Sequence, residues 1–164
     1  MDAIRGLLRI KSVREEGRER ELRKAKHELD LAMQALRDAR QTHESRVQEH
    51  REREEALYRD LMSRPVVVRE LDDLHAEIVA MKEVEQKDRQ AVEQAEEARK
   101  QQREVVDAST AAWRAAMQAC DKFRDLHQQA IARGLEEEEH RAGLELEEHP
   151  ARVPGREFSG GAET

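Results

Sequence analysis

The sequence predicts an all-α protein, a long two-helix antiparallel coiled-coil hairpin with a disordered C-terminal tail. Three observations carry this. Charged residues make up 41% of the chain and aromatics 2%. That leaves too little apolar material for a thick globular core, yet the prevailing residues (Ala, Glu, Arg, Gln, Leu) favour long helices over disorder. No glycine lies between Gly17 and Gly134. The one break in that span is Ser63 to Leu71, "SRPVVVREL", with the first proline, Pro65, and a run of three valines.

The hairpin is expected over residues 1–148. Its first arm runs from about 3 to 63, with a seam of Leu22, Leu29, Met33, Leu36, Val47, Leu57 and Leu61, widened by Ala25, Ala32 and Ala39. This seam thins between Arg40 and Glu54, where His43 and His50 stand on it. The turn falls near 64–67. Pro65 donates no backbone hydrogen bond and disfavours helix in Arg64, and the valines are weaker helix formers than their neighbours. The second arm, about 68–142, keeps one heptad phase from Leu71 to Ala130. Its a row includes Leu71, Ile78, Val92, Val106, Trp113 and Cys120, and its d row Leu74, Met81, Ala95 and Phe123. Glu85, Asp88, Arg99 and Gln102 interrupt it. Residues 149–164, with two prolines and three glycines, read as the disordered tail.

Folding the chain at Pro65 sets Leu61 against Leu71, Leu57 near Leu74 and Leu36 level with Ala95. The polar stretch 40–54 then lies opposite 78–92, so the two weak zones coincide. This agreement favours a hairpin with arms of about 60 residues, a rod roughly 90 Å long. Glu85 and Asp88 are either solvated through a narrow interface or mark a zone where a partner binds.

The net charge of −7 is unevenly spread. Residues 1–26 carry nine Lys/Arg against five acids, and residues 136–148 carry seven glutamates against Arg141. Such polarity suits protein partners at the ends and argues against nucleic acid. No stretch reads as a signal peptide or a membrane span, so a soluble intracellular protein is expected, without membrane insertion. Cys120, the lone cysteine, reads as a small core residue. No phosphate-binding glycine loop, HExxH or Cys/His ligand set occurs, so no catalytic residue, cofactor or metal is expected. His43 and His50 read as interhelical polar contacts, and Glu136 to Glu139 as a solvated run. Trp113 and Phe123 fit the seam. Tyr58 falls beside it and is a candidate interface anchor.

Three segments give the chain a family look. "LLRIKSVREEGRERELRKAK" opens it with an apolar cluster and a basic helix start, "LDDLHAEI" follows the turn, and "CDKFRDLHQQAIARGLEEEEHRAGLE" ends in an acidic run. In length, order and charge layout residues 1–148 resemble the YscO group of type III secretion stalk proteins, related to the flagellar export protein FliJ. The resemblance implies a non-enzymatic antiparallel coiled coil, cytoplasmic and peripheral at the cytoplasmic face of the inner membrane. It implies that the end where both termini meet enters the pore of the hexameric export ATPase. It also implies contact with the cytoplasmic domain of the large export-gate protein and, in some members, with secretion chaperones. Carried onto this chain, the ATPase-docking candidates are Leu8, Ile10, Lys11, Arg14 and Arg18, with Phe123, Arg124 and Arg133 on the second arm. Gly17 falls among them and is expected to disturb the first turns. Gln48, Arg51 and Tyr58, from the polar stretch 40–58, are export-gate contact candidates.

Two other readings compete. A self-assembling scaffold coiled coil would pair the same heptads between chains, whereas the hairpin is a monomer on its own. A peripheral membrane-associated rod would use Leu7, Leu8 and Ile10 with the basic N-terminus as an anchor.

Overall fold

The computed structural model describes residues 2–148, and the tail expected over 149–164 lies outside them. Two helices account for nearly all of the described chain: α1 (Asp2–Met62) and α2 (Val68–Glu148). The helix α2 continues six residues beyond the expected end at 142. The described residues form two compact units: Val13–Met117 is one, and the residues up to Ser12 with those from Gln118 onward are the other. The sequence reading had a single domain over 1–148.

The larger unit contains the turn. Helix α1 ends with the Ser63 amide and hydroxyl both donating to the Asp60 carbonyl, at 3.3 and 2.8 Å. Pro65 has no amide to continue the ladder. Helix α2 starts on the Val67 carbonyl, which accepts from the amides of Glu70 (3.0 Å) and Leu71 (3.5 Å). Arg64 braces the turn from outside, 3.1 Å from Asp60 and 2.9 Å from Glu70. Its guanidinium pKa is held above the ordinary value, first by the hydrogen bond to Glu70 and then by that to Asp60.

Below the turn the arms pack antiparallel through a heptad seam. In α1 the row Glu15, Leu22, Leu29, Leu36, His43, His50 and Leu57 recurs every seven residues, and each is at least half-buried. A second row, Ala25, Ala32, Ala39 and Arg46, completes the face. In α2 every a and d position from Leu74 to Ala116 is half-buried or buried. Two residues assigned to the seam lie off it. Met33 is 37% exposed, because the inward step from Leu29 goes to Ala32 and then Leu36. Leu71 is 50% exposed, and Leu74, at 9%, is the first buried residue of α2. Leu61 and Leu57 therefore share their apolar surface with Leu74 rather than with Leu71.

The alanine row has a geometric consequence. A methyl at Ala25 lets the arms approach closely enough for the Gln102 side-chain amide to donate to the Ala25 carbonyl at 3.1 Å. Gln102, an apparent defect in the heptads, thereby bonds a backbone group across the seam.

The coincident weak zones also acquire content. Across them run four interhelical contacts: Arg40 to Glu96 at 3.1 Å, Arg46 to Asp88 at 2.7 Å, His50 to Glu85 at 2.9 Å and Arg53 to Glu77 at 3.1 Å. Glu85 and Asp88 are thus half-buried and paired rather than freely solvated. The Arg46–Asp88 contact is short but off the hydrogen-bonding direction, leaving Asp88 Oδ2 without an aligned donor. His43 Nδ1 is likewise buried with no hydrogen-bond partner. Each outer pair is worth only about 0.2–1 kcal/mol. Together they favour this register and chain direction, because a slip of one turn would leave half-buried charges unpaired.

Candidate docking surfaces

The smaller unit joins the start of α1 to the last part of α2. Cys120 is fully buried there, with the Arg124 guanidinium 3.6 Å from its Sγ. Leu8 and Phe123 are half-buried. The Lys11 ammonium lies 5.3 Å from the centre of the Phe123 ring, a cation–π contact that also packs the lysine stem.

The sequence-predicted docking residues therefore divide. Leu8, Lys11 and Phe123 are used by the fold. Ile10 is 51% exposed, and Arg124 and Arg133 face outward, Arg124 pairing with Asp121 at 2.9 Å. In the larger unit Arg14 and Arg18 are exposed, with Arg18 3.0 Å from Glu21. Gly17 does not disturb this part of α1. The helix is continuous through it, no described residue has positive φ, and nothing lies within 4 Å of a Cβ placed there.

The three gate candidates are all exposed. Gln48 donates to Glu52 at 3.0 Å. Arg51 borders a groove between the arms with Val47, His50, Ile78, Met81 and Glu85. Tyr58 is the nearest of them in sequence to the turn. Sequence reasoning missed the apolar tip: Met62 is 89% exposed, and Val67 and Val68 are also largely exposed. The signal was the valine run itself, read only as a helix breaker. Arg64 is engaged with its two acidic neighbours, so the tip offers apolar surface beside locally balanced charge.

Among the described residues no group of His, Cys, Asp and Glu has the arrangement of a metal site. No described helix is long and apolar enough to cross a membrane. Exposed apolar side chains include Leu7 and Ile10 in the smaller unit and Met62, Val67 and Val68 at the turn in the larger one.

The family model described as type III secretion protein YscO matches residues 4–151. The chain belongs to this family of type III secretion proteins, which gives it a role in a secretion system. It is similar in structure to the crystal structure of type III secretion protein YscO from Vibrio parahaemolyticus, with a TM-score of 0.81 and 24% sequence identity. That likeness covers 90% of this chain and 92% of the other. At this identity it speaks to the fold, a two-helix hairpin. Comparison with curated proteins gives no match.

Proposed function

We propose that this chain is a non-enzymatic stalk of the type III secretion export apparatus. Its open end, where α1 begins, docks in the pore of the hexameric export ATPase. The turn end, with Gln48, Arg51 and Tyr58, contacts the cytoplasmic domain of the large export-gate protein. Secretion chaperones are further partners, and the chain works at the cytoplasmic face of the inner membrane.

The observation that carries this reading is the exposed basic surface of Arg14 and Arg18 in the larger unit. Arg18 makes only an exposed pair with Glu21, and Arg14 makes no ion pair with another described residue. A negatively charged ring gives them a use, and it steers the encounter at long range.

The test is the double variant Arg14→Glu with Arg18→Glu. Lys11 is left in place because it packs on Phe123. The variant keeps its helical circular dichroism, and its binding to the hexameric export ATPase falls about tenfold or more, as expected when two charges are reversed at a charge-steered contact. Wild-type binding weakens as salt rises past about 0.15 M. Unchanged binding by the folded variant would remove this surface from the docking contact.

A further inference from the structure

Among the described residues, the last part of α2 has no helical neighbour. Lys11 lies over Phe123, and continuing that antiparallel pairing residue for residue puts Asp2, where α1 begins, level with Ala132. Gly134 is the last partly buried residue of α2, and everything from Leu135 to Glu148 is exposed. This overhang is about 20 Å of single helix.

Alone, it is a poor helix. Isolated helices shorter than about 12–15 residues are marginal in water. Glu136 to Glu139 repel one another. Glu145, Glu147 and Glu148 stand against the negative end of the helix dipole, with no basic residue in the last turn. Leu135, Leu144 and Leu146 are exposed along it. A surface both basic and apolar would relieve all of these defects.

The smaller unit presents such a surface. On the first turns of α1, Arg5 and Arg9 face outward and Leu7 and Ile10 are exposed. Within one chain the two cannot meet, because the overhang runs away from the start of α1. We propose that two copies of this chain associate end to end, the α2 overhang of each laid along the first turns of α1 in the other.

The arrangement is isologous. Each copy gives one acidic helix and receives one, so a single twofold axis satisfies both contacts. The charges match, with seven glutamates against Arg141 in residues 136–148 and Arg5, Arg9 and Lys11 against Asp2 in residues 2–12. A foreign basic surface would suit the overhang but leave Leu7 and Ile10 uncovered, whereas a second copy covers both. The helix dimensions limit the two contacts together to roughly 1,200 Å², the lower edge of stable interfaces. The dimer is therefore weak and charge-driven. Each hairpin is complete in one chain, so dilution returns folded monomers.

The experiment is sedimentation velocity on the full chain, alone and as two variants. One carries Glu136→Lys, Glu137→Lys, Glu138→Lys and Glu139→Lys, which turns the overhang net basic, the other Arg5→Glu with Arg9→Glu, which turns the first turns of α1 net acidic. Arg, Lys and Glu are comparable helix formers, so neither variant weakens association by melting a helix, and circular dichroism checks this. At about 50 mM salt the wild type dimerises with rising concentration, and at about 500 mM the association is weaker by tenfold or more. Each variant alone repels its own copies and stays monomeric at concentrations where the wild type pairs. Mixed in equal amounts, they restore the dimer, because both contacts then join opposite charges. A wild type that stays monomeric at low salt, a dimer indifferent to either variant, or a mixture that fails to associate overturns the proposal. The measurement needs no secretion component, so it stands or falls apart from the docking reading.

Discussion

Leu36→Ala and Met33→Ala, three residues apart on α1, should differ severalfold in their effect on stability. Both look like seam residues by hydrophobicity. Leu36 is 2% exposed and packs against α2, while Met33 lies off the inward face. Leu36→Ala removes three carbons from a buried site, about 2.4 kcal/mol at roughly 0.8 kcal/mol per buried methylene. A residual cavity adds to this, and cores in general lose about 2–5 kcal/mol for such a change. A two-helix seam collapses around a gap more readily than a thick core, so about 2–3 kcal/mol is the expected loss. Met33→Ala gives up exposed surface and gains helix propensity, so its effect stays within about 0.5 kcal/mol. Urea unfolding followed by circular dichroism at 222 nm reads both values from the midpoint shift at constant slope. Equal losses would refute the assigned phase of α1, and a larger loss at Met33 would mean the helix is rotated by about 60°.

The remaining predictions concern the polar layer and the first turns. A double-mutant cycle with Arg46→Ala and Asp88→Ala should give a coupling of about 1 kcal/mol, at the upper end for surface pairs because the aspartate is mostly covered. A coupling under about 0.3 kcal/mol would show that the short contact contributes nothing to the register. Gly17→Ala should raise stability by about 0.5–1 kcal/mol, since the glycine is mid-helix and its Cβ position is open. A lowered melting temperature would place a neighbour against that position.

How much of this was legible in the sequence depended on the residue type carrying the signal. The hairpin, its turn at Pro65 and the antiparallel pairing of the two weak zones followed from helix-breaking chemistry and spacing. The phase of α1 was read less well. Its inward row passes through Glu15, a polar residue that a hydrophobicity count skips, beside His43 and His50, which the sequence does place on the seam, and its second row is built of alanines. Met33 was taken into the seam because it is apolar and four residues from Leu29, whereas the small Ala32 holds the inward position. The same bias placed Leu71 inside. At the first turn of α2 the arms have not yet met, and burial begins one step later, at Leu74. Lys11 illustrates the converse. Its charge suggests a docking role, and the structure adds a packing one, with its long stem beside the facing Phe123. The ion pairs of the weak zone needed coordinates, since a list of charges does not say which of them face each other.

In the proposed function, the start of α1 and the turn meet different partners. A photo-crosslinking amino acid placed at Ile10 in one full-length chain and at Val68 in another tests this directly, because both side chains are exposed and neither is needed for packing. In cells assembling the secretion apparatus, the Ile10 probe should yield adducts with the hexameric export ATPase, and the Val68 probe adducts with the export-gate protein. ATPase adducts from Val68 with none from Ile10 would contradict the account, since the stalk would then enter the pore by its turn.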